Sequence, residues 1–239
     1  MKGQRLSIFH ATTLALRRIG AALLPQDCLL CGAAAGAEIL CQACVENLPR
    51  LPGNLCPICA LPSPAEGSCG KCLGETPHFD ATLAGFRYGF PVDRLIQALK
   101  YQHRLALAPW FARALLASPP PEGDLMLALP LAERRLGERG FNQALEIARP
   151  LAQALSLALP LETCVRAHDG APQASLPWKE RQKNVRGVFE CRKDLTGKSV
   201  IVVDDVMTTG ATLNEFARTL KKHGAARVTN WVVARTLMQ

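Results

Sequence analysis

The sequence predicts an α/β protein in which a parallel sheet with helices on both faces is preceded by a small cysteine-rich zinc-ribbon module. Short, continuously apolar segments alternate with helical patterns after residue 124, which is typical of parallel strands that are buried on both faces. Residues 25–75 are instead rich in Cys, Pro and Gly and contain no long periodic segment. A module of this composition and size needs a stabilising element other than a large apolar core.

The composition is that of a folded protein with a surplus of positive charge. Of the 239 residues, 49% are hydrophobic and 20% are charged, which excludes a mainly disordered chain. The formal net charge of +8 favours an anionic partner, such as a nucleic acid, a phosphorylated ligand or a membrane surface. If eight of the ten cysteines bind two Zn²⁺ ions as thiolates, the net charge falls to half of this value. Basicity alone is therefore a weak argument for DNA binding.

Residues 1–24 are predicted to form an amphipathic helix. They contain no acidic residue, and Arg17 and Arg18 interrupt their apolar run. This interruption and the lack of a small-residue cleavage site disfavour a secretory signal peptide. No segment reaches the ~18–20 uninterrupted apolar residues of a membrane-spanning helix. We therefore expect a cytoplasmic protein without stable membrane insertion.

An internal duplication defines the module at 25–75. The motif CxxC-x9-CxxC occurs twice, and each cysteine of the first copy recurs 28 positions later. Two CxxC turns supply the four thiolates of a closed tetrahedral zinc site, whose role is structural; an iron–sulfur or redox use is the alternative. Pairing within each copy is favoured over pairing across copies. The predicted ligands are Cys28, Cys31, Cys41 and Cys44 in the first copy and Cys56, Cys59, Cys69 and Cys72 in the second.

The elements of a second domain at 79–239 follow from apolar spacing and turn residues. Val92, Leu95 and Leu99 recur at helical spacing, and Gly224 is a predicted helix C-cap. Cys164 and Cys191 are interpreted as isolated small core residues. In chain order the predicted elements are a strand and turn at 79–90, helices from Pro91 and at 106–117, a linker at 118–123, a strand at 125–130, a helix at 141–158, a strand at 161–166, a polar loop at 167–187, a strand at 199–205, a helix at 211–223 and a strand at 227–234.

The strongest functional signal is the segment VIVVDDVMTTGATL at 200–213. Its apolar residues predict a buried strand that delivers Asp204 and Asp205 to the edge of the sheet where open α/β proteins bind ligands. The turn after this strand opens a helix, and its backbone N–H groups and threonine hydroxyls can hold an anion. Carboxylates beside an anion site suit a sugar, whose vicinal hydroxyls they accept, with Mg²⁺ on the diphosphate side.

Sugar hydroxyls beside a 5′-phosphate are features of phosphoribosyl diphosphate (PRPP), and this segment resembles the PRPP-binding motif of type I phosphoribosyltransferases. The resemblance implies a type I phosphoribosyltransferase-like sheet. It also implies that Asp204 and Asp205, the candidate catalytic residues, hold the ribose 2′- and 3′-hydroxyls, while the turn holds the 5′-phosphate. The ligand-binding residues predicted from the motif are Val203, Asp204, Asp205, Thr208, Thr209, Gly210, Ala211 and Thr212.

Two polar segments are expected to complete such a site. Residues 130–142 correspond to the diphosphate-binding loop of these enzymes, and their guanidinium groups suit that task; a solvated charged turn is the alternative. Residues 167–187 correspond to the flexible loop that closes over the reaction centre. The candidate residues are Arg134, Arg135 and Arg139 in the first segment and Gln173, Arg181, Asn184 and Arg186 in the second.

The combination of motifs indicates a smaller group of proteins than the fold alone does. The run GFNQ at 140–143, the later Gln…Arg…Asn loop, the leading cysteine module and the run ALKY at 98–101 together resemble the ComF family. The resemblance covers nearly the whole chain. It implies a role in natural competence, in which single-stranded DNA is handled as it enters the cytoplasm, with PRPP, DNA and other DNA-uptake proteins as partners.

Three functions follow as alternatives: a PRPP-binding protein that handles DNA, with or without transferase activity; a salvage-type phosphoribosyltransferase that acts on a base or nucleotide; and a non-catalytic regulator that senses PRPP. Transfer from PRPP mainly requires positioning and stabilisation of the leaving diphosphate, so no general base can be demanded of the sequence. Basic residues interleaved with aromatic ones are the candidate DNA contacts. They are Lys100, Tyr101, Arg104, Trp178, Lys179, Arg181, Lys183 and Arg186.

Overall fold

The structure is a computed structural model that describes residues 26–63, 67–167 and 187–237. The predicted helix at 1–24 and nearly all of the predicted loop at 167–187 lie outside these residues. The chain divides into two compact units, Met1–Leu48 and Pro49–Gln239. The boundary falls between the two copies of the cysteine motif, so each copy belongs to a different unit.

The first unit contains the first cysteine copy. Strand β1 (Gln26–Asp27) pairs antiparallel with β2 (Ala34–Gly36), and helix α1 (Gln42–Glu46) follows. The N–H of Gly32 donates to the carbonyl of Cys28 at 2.9 Å, and the N–H of Val45 donates to the carbonyl of Cys41 at 3.1 Å. These two tight turns hold the CxxC pairs.

The second copy repeats this backbone pattern inside the second unit. The N–H of Ala60 donates to the carbonyl of Cys56 at 2.9 Å, and the N–H of Leu73 donates to the carbonyl of Cys69 at 3.0 Å. A bridge between Leu55 and Pro62 stands where the first copy has its small hairpin, and helix α2 (Gly70–Gly74) corresponds to α1. The sequence duplication is therefore also a duplication of local structure.

The rest of the second unit follows the predicted alternation of strands and helices. In chain order its elements are β3 (Ala81–Arg87), α3 (Val92–Tyr101), α4 (Leu107–Leu116), β4 (Leu125–Ala128), α5 (Glu133–Arg139), α6 (Gln143–Leu155), β5 (Cys164–Arg166), β6 (Phe189–Cys191), β7 (Ser199–Met207), α7 (Ala211–Lys222) and β8 (Arg227–Arg235).

Within the described residues, four strands form a parallel sheet in the order β3-β8-β7-β4. The two central strands are almost completely buried, which explains why their sequences are apolar without alternation. Val200 and Val202 of β7 pack in one cluster with Phe216 of α7, whereas the alternating residues of β7 face the opposite side, where α6 packs. The predicted parallel sheet with helices on both faces is confirmed.

Residues 130–142 differ from the predicted loop because α5 occupies most of them. Glu133 lies in the first turn of α5 and Arg139 in the last, an arrangement that complements the helix dipole. Gly140 follows with φ of +74°, the left-handed conformation that ends many helices. These are ordinary helix signals, and they outweigh the polar composition that favoured a loop.

A small antiparallel pair, β5 with β6, lies beside the main sheet. The sequence predicts β5 but not β6, which contains three residues and has no distinctive pattern. In the part of the chain that the structure describes, no helix is long and apolar enough to cross a membrane.

Candidate functional site

A cleft of about 490 Å³ lies at the C-terminal ends of β4 and β7. It is lined by the predicted acidic pair, by the turn that follows β7 and by the three predicted arginines, together with Lys100, Gln143 and Arg166. Val203 does not line the cleft, because it is 0% exposed inside β7. The fold thus brings all of the predicted ligand-binding residues except Val203 to one cavity.

The acidic pair at the end of β7 is buried and held by neighbouring elements. The backbone N–H of Asp205 donates to Oδ1 of Asp204 at 2.8 Å. The side chain of Gln143, the first residue of α6, donates to Oδ1 of Asp205 at 3.1 Å. The ammonium group of Lys100, in the last turn of α3, forms a salt bridge with Oδ2 of Asp205. Among the described residues, Asp205 therefore has a counter-charge in direct contact, whereas Lys100 acts on Asp204 only through the longer-range attraction of its charge.

This asymmetry separates the two carboxyl groups electrostatically. Burial and the negative charge of Asp205 raise the pKa of Asp204 well above its usual value. Burial also acts to raise the pKa of Asp205, but the Lys100 ammonium and the Gln143 hydrogen bond outweigh it, and the pKa of Asp205 is lowered. Asp205 is thus the ionised member, and Asp204 is the member that retains a proton more readily.

Arg139 supports this pair through Gln143. Its guanidinium donates to Oε1 of Gln143 at 2.9 Å and to the hydroxyl of Tyr101 at 3.2 Å. The guanidinium carbon also lies 5.0 Å from the centroid of the Tyr101 ring. Arg139 is buried, whereas Arg134 and Arg135 are exposed at the cleft. The three arginines therefore differ in their surroundings, and only the exposed two have guanidinium groups open to solvent.

The turn between β7 and α7, for which the sequence predicts anion binding, opens onto the cleft. Gly210 adopts φ of +83° at the N-terminus of α7. A Cβ atom added there would meet the terminal methyl group of Met207 at 2.6 Å. That flexible group can shift, so the positive φ is the main reason that this position favours glycine. The first N–H groups of a helix lack partners within the helix. Here the N–H of Ala211 donates to Oγ1 of Thr209 at 3.2 Å, and residues 208–212 line the cleft.

A buried arginine anchors this turn from below. Arg235, at the end of β8, is 1% exposed. Its guanidinium donates to the carbonyls of Met207 at 2.9 Å, of Thr208, and of Thr236 at 2.8 Å. Its Nε donates to the carbonyl of Cys59 at 2.8 Å. One side chain therefore connects the anion-binding turn with a CxxC turn of the second cysteine copy.

Each cysteine copy forms a four-sulfur cluster. The sulfur atoms of Cys28, Cys31, Cys41 and Cys44, and those of Cys56, Cys59, Cys69 and Cys72, lie within 4.8 Å of one another in each set. The sulfurs of Cys31 and Cys41 are 3.7 Å apart, and those of Cys59 and Cys69 are 3.6 Å apart. Zn–S bonds of ~2.3 Å in a tetrahedron require sulfurs about 3.8 Å apart. The donor sets fit structural Zn²⁺, and the ligands pair within each copy.

Known domains and proteins match both parts of the chain. Residues 19–73 match the double zinc ribbon domain, and residues 142–237 match the phosphoribosyl transferase domain. The DNA utilization protein YhgH of Salmonella typhi is 33% identical over 207 residues, which cover 83% of this chain and 91% of that protein. Competence protein F of Haemophilus influenzae is 28% identical, over 82% of this chain and 90% of that protein. Competence protein ComFC of Bacillus subtilis is 26% identical, over 83% of this chain and 85% of that protein.

The chain belongs to the ComF family. It combines the double zinc ribbon with a phosphoribosyltransferase-like domain, as the sequence predicts.

The structure assigns contacts at this ComF-family site to three residues for which the sequence predicts no place in it: Lys100 and Gln143 line the cleft, and Arg235 holds the turn beside it. Lys100 was a candidate DNA contact, but its ammonium is paired with Asp205. The sequence links Gln143 to the family through the run GFNQ but predicts no function for its side chain. It predicts no function for Arg235 either. Arg235 could have been recognised as a lone arginine at the end of an apolar strand. A charge buried there needs several hydrogen-bond partners, so such an arginine indicates a structural contact. The predicted residues Gln173, Trp178, Lys179, Arg181, Lys183, Asn184 and Arg186 lie outside the described residues.

Proposed function

We propose that this protein binds PRPP with Mg²⁺ in the cleft at the C-terminal edge of the sheet. The observation that carries the proposal is a buried pair of carboxyl groups directly beside an anion-binding helix N-terminus in one cavity of about 490 Å³. Asp204 and Asp205 accept hydrogen bonds from the ribose hydroxyls. The turn from Thr208 to Thr212 holds the 5′-phosphate with its N–H groups and hydroxyls.

The exposed guanidinium groups of Arg134 and Arg135 bind the diphosphate at the open side of the cleft. Among the described residues that line the cleft, the carboxylates are Asp204 and Asp205, so a Mg²⁺ ion is held chiefly by diphosphate oxygens and water. Bound there, Mg²⁺ neutralises part of the diphosphate charge. The chain's own contribution is to orient the ribose and to stabilise the departing diphosphate.

The positive charge of Lys100 makes the site compatible with a ligand whose ribose is neutral and whose phosphate groups are anionic. Its ammonium compensates the ionised Asp205 carboxylate, which would otherwise repel a polyphosphate. Asp205 retains free lone pairs for a ribose hydroxyl because each carboxylate oxygen can accept more than one hydrogen bond. The predicted selectivity is for a phosphorylated sugar with a vicinal diol over inorganic diphosphate.

Calorimetric titration with PRPP and Mg²⁺ tests this proposal. We expect binding to the zinc-loaded protein and loss of that binding in an Asp204→Asn/Asp205→Asn variant. Glu162→Gln, a change at an exposed residue that does not line the cleft, is the matched control and should leave binding intact. Equal binding by the wild type and the double variant, or no binding by the wild type, contradicts the proposal.

We further propose that the protein acts in the cytoplasm on incoming single-stranded DNA, together with other DNA-uptake proteins. Two relatives are named competence proteins and a third a DNA utilization protein. Tyr101, which contacts the guanidinium of the cleft residue Arg139, is 64% exposed, and Arg104 is exposed three positions later. An exposed ring beside a guanidinium group suits stacking on an unpaired base and contact with a phosphate.

Titration of single-stranded DNA at several salt concentrations tests the DNA proposal. We expect Arg104→Ala to weaken binding and to reduce the salt dependence by about one phosphate contact. Lys222→Ala, at an exposed residue of α7 away from the cleft, is the control and should change neither. An affinity that is independent of salt, or equal effects of the two variants, argues against this surface.

A further inference from the structure

We propose that Cys164 and Cys191 form a reversible intramolecular disulfide, which makes them a covalent modification site separate from the two zinc centres. The two residues are directly opposite each other in the β5–β6 pair. Their sulfur atoms lie 3.0 Å apart. The sequence predicts two isolated core residues, since each cysteine stands alone in apolar surroundings, but the fold brings them together across 27 positions of the chain.

The register of the strand pair places the two cysteines in the geometry that a disulfide needs. The N–H of Arg192 donates to the carbonyl of Thr163 at 2.8 Å, and the N–H of Ala167 donates to the carbonyl of Val188 at 2.9 Å. Hydrogen-bonded and non-hydrogen-bonded pairs alternate along an antiparallel ladder. The cysteines are therefore a non-hydrogen-bonded pair, with an expected Cα separation of about 4.5 Å. This separation lies within the ~4.4–6.8 Å range of disulfides.

Neither thiol is needed for metal binding. Among the described residues, the two clusters that can hold a metal are the complete four-cysteine sets of the zinc ribbons, and neither set includes Cys164 or Cys191. Cys164 is buried and Cys191 is half-buried. The pair thus offers one thiol that a dissolved oxidant can reach and a second thiol directly behind it.

The chemistry is two successive thiol–disulfide exchanges with a small disulfide such as oxidised glutathione. The sulfur of Cys191 loses its proton and attacks one glutathione sulfur, which breaks the glutathione disulfide and releases one glutathione thiol. The sulfur of Cys164 then attacks Cys191, and its proton passes to the second departing glutathione. Two protein thiols are oxidised to one disulfide, and one glutathione disulfide is reduced to two thiols.

The surroundings assign the order of these steps. Burial and the neighbouring Cys191 raise the pKa of Cys164, so Cys164 is a poor first nucleophile. Once Cys191 carries glutathione, the adjacent Cys164 sulfur attacks within the same molecule, and its proximity offsets its low ionisation.

The disulfide would fix a strand that contributes to the cleft. Arg166 lies two positions after Cys164 in β5 and lines the cleft, and its guanidinium carbon lies 5.7 Å from the ring centroid of Phe189 in β6. The N–H of Gly187, which precedes β6, donates to the carboxylate of Glu215 at 2.6 Å. Oxidation therefore adds a covalent link between two strands next to the cleft; any effect on PRPP affinity rests on the proposed function.

The test is differential alkylation of zinc-loaded protein that has been equilibrated in glutathione buffers from fully reduced to fully oxidised. We expect oxidation to remove two alkylatable thiols, to join the peptides that contain Cys164 and Cys191, and to leave the zinc content unchanged. Cys164→Ser should instead accumulate a glutathione adduct on Cys191. Two free thiols in the oxidised wild type, or a glutathione adduct on Cys191 as its only product, overturn the proposal.

Hydrogen exchange supplies a second readout that does not involve PRPP. The backbone N–H groups of Ala167 and Arg192 close the two ends of the β5–β6 ladder. We expect oxidation to slow their exchange by about tenfold or more, because the cross-link opposes separation of the strands. The Cys191→Ser variant, which changes a half-buried residue, should show no such dependence on the glutathione buffer. Identical exchange in the oxidised and reduced wild type counts against a disulfide at this site.

Discussion

Asp204 and Asp205 are adjacent and both buried, yet their pKa values move in opposite directions. The difference arises mainly from Lys100 and Gln143, whose direct contacts are with Asp205, while Asp204 feels only the charge of Lys100 and the opposing charge of Asp205. The buried carboxyl without a counter-charge in direct contact is destabilising when it ionises. Stability is thus reduced at a position that the proposed function requires, as is common for ligand-binding sites.

Asp204→Asn should make the protein more stable than the wild type, and the difference in stability should grow as the pH rises. The folded-state pKa of Asp204 is raised, so the stability contribution of this group is fully present below its unfolded pKa of ~3.9 and is lost as the pH rises through the folded value. Asparagine does not titrate. We expect the melting temperature of the variant to exceed that of the wild type by about 2–4 °C for each kcal/mol recovered, with a larger excess at about pH 8 than at about pH 5.

Asp194→Asn is the control for this comparison of melting temperatures, because the pKa of Asp194 is shifted in the opposite direction. Hydrogen bonds from Thr196 lower the pKa of the exposed Asp194, so its contribution to stability is present above its unfolded pKa and is lost in acid. This variant should be no more stable than the wild type at neutral pH. A pH-independent difference between Asp204→Asn and the wild type would contradict the assignment.

Lys100→Met should destabilise the fold because it leaves the ionised Asp205 buried without its counter-charge. Removing one partner of a buried pair costs about 3 kcal/mol or more. Addition of Asp205→Asn should restore much of the loss, since the unpaired charge is then gone. Urea unfolding of the two single variants and the double variant measures this coupling. Lys193→Met, at an exposed position, is the control, and additive effects of the Lys100 and Asp205 changes would exclude the pair.

At the scale of elements, the anion-binding turn is defined by what lies on both of its sides. Gly210 allows the turn to pack against Met207, and Arg235 holds the carbonyls of Met207 and Thr208 from below. The same guanidinium holds the carbonyl of Cys59. The turn, the end of β8 and one CxxC turn are thus held together by a single side chain.

Arg235→Lys should weaken both the turn and the second zinc centre. Lysine keeps the charge but cannot reproduce the planar set of donors that reaches four carbonyls. We expect a loss of about 2–4 kcal/mol in the free energy of unfolding and faster release of one of the two zinc ions to a chromogenic chelator. Arg227→Lys, at the exposed opposite end of β8, is the matched control. Unchanged zinc release from Arg235→Lys would show that the connection to Cys59 has no role in holding the metal.

At the scale of the whole molecule, the two zinc ribbons are equivalent in sequence but not in position. The first lies in the unit Met1–Leu48, and the second lies in the unit Pro49–Gln239. Cys56, Cys59 and Cys72 belong to the same buried cluster as Phe79, Met207 and Phe216. The second ribbon is therefore part of the core of the phosphoribosyltransferase-like unit.

Loss of a zinc ligand should thus have different effects in the two copies. Cys31→Ser and Cys59→Ser alter the corresponding positions of the duplication, and each should reduce the zinc content by one ion. We expect Cys59→Ser to lower the melting temperature of the main calorimetric transition substantially, because metal binding contributes several kcal/mol of folding free energy. Cys31→Ser should leave that transition nearly unchanged. Equal lowering by both variants would refute this difference between the copies.

The sequence predicted those features that depend on residues close together in the chain. The duplicated CxxC spacing predicted both four-cysteine sites and favoured pairing within each copy without deciding it; the sulfur positions show pairing within each copy. Apolar runs and turn residues predicted the four strands of the parallel sheet and the helices from Pro91, at 106–117, at 141–158 and at 211–223. The motif at 200–213 predicted that the acidic pair and the turn after β7 lie at the edge of the sheet, where they line the cleft. Each of these depends on local spacing or local conformational preference.

Only the tertiary structure decided which distant residues meet. The contacts of Lys100 with Asp205, of Arg235 with Cys59 and of Cys164 with Cys191 join positions that are far apart in the chain. No local pattern marks such partners, because the order and register of the strands determine which side chains become neighbours. The sequence by itself therefore determined the family and the domain types, and it predicted the chemical class of the site. The packing of the sheet determined which charges are compensated, which zinc ribbon belongs to the core and which two thiols are adjacent.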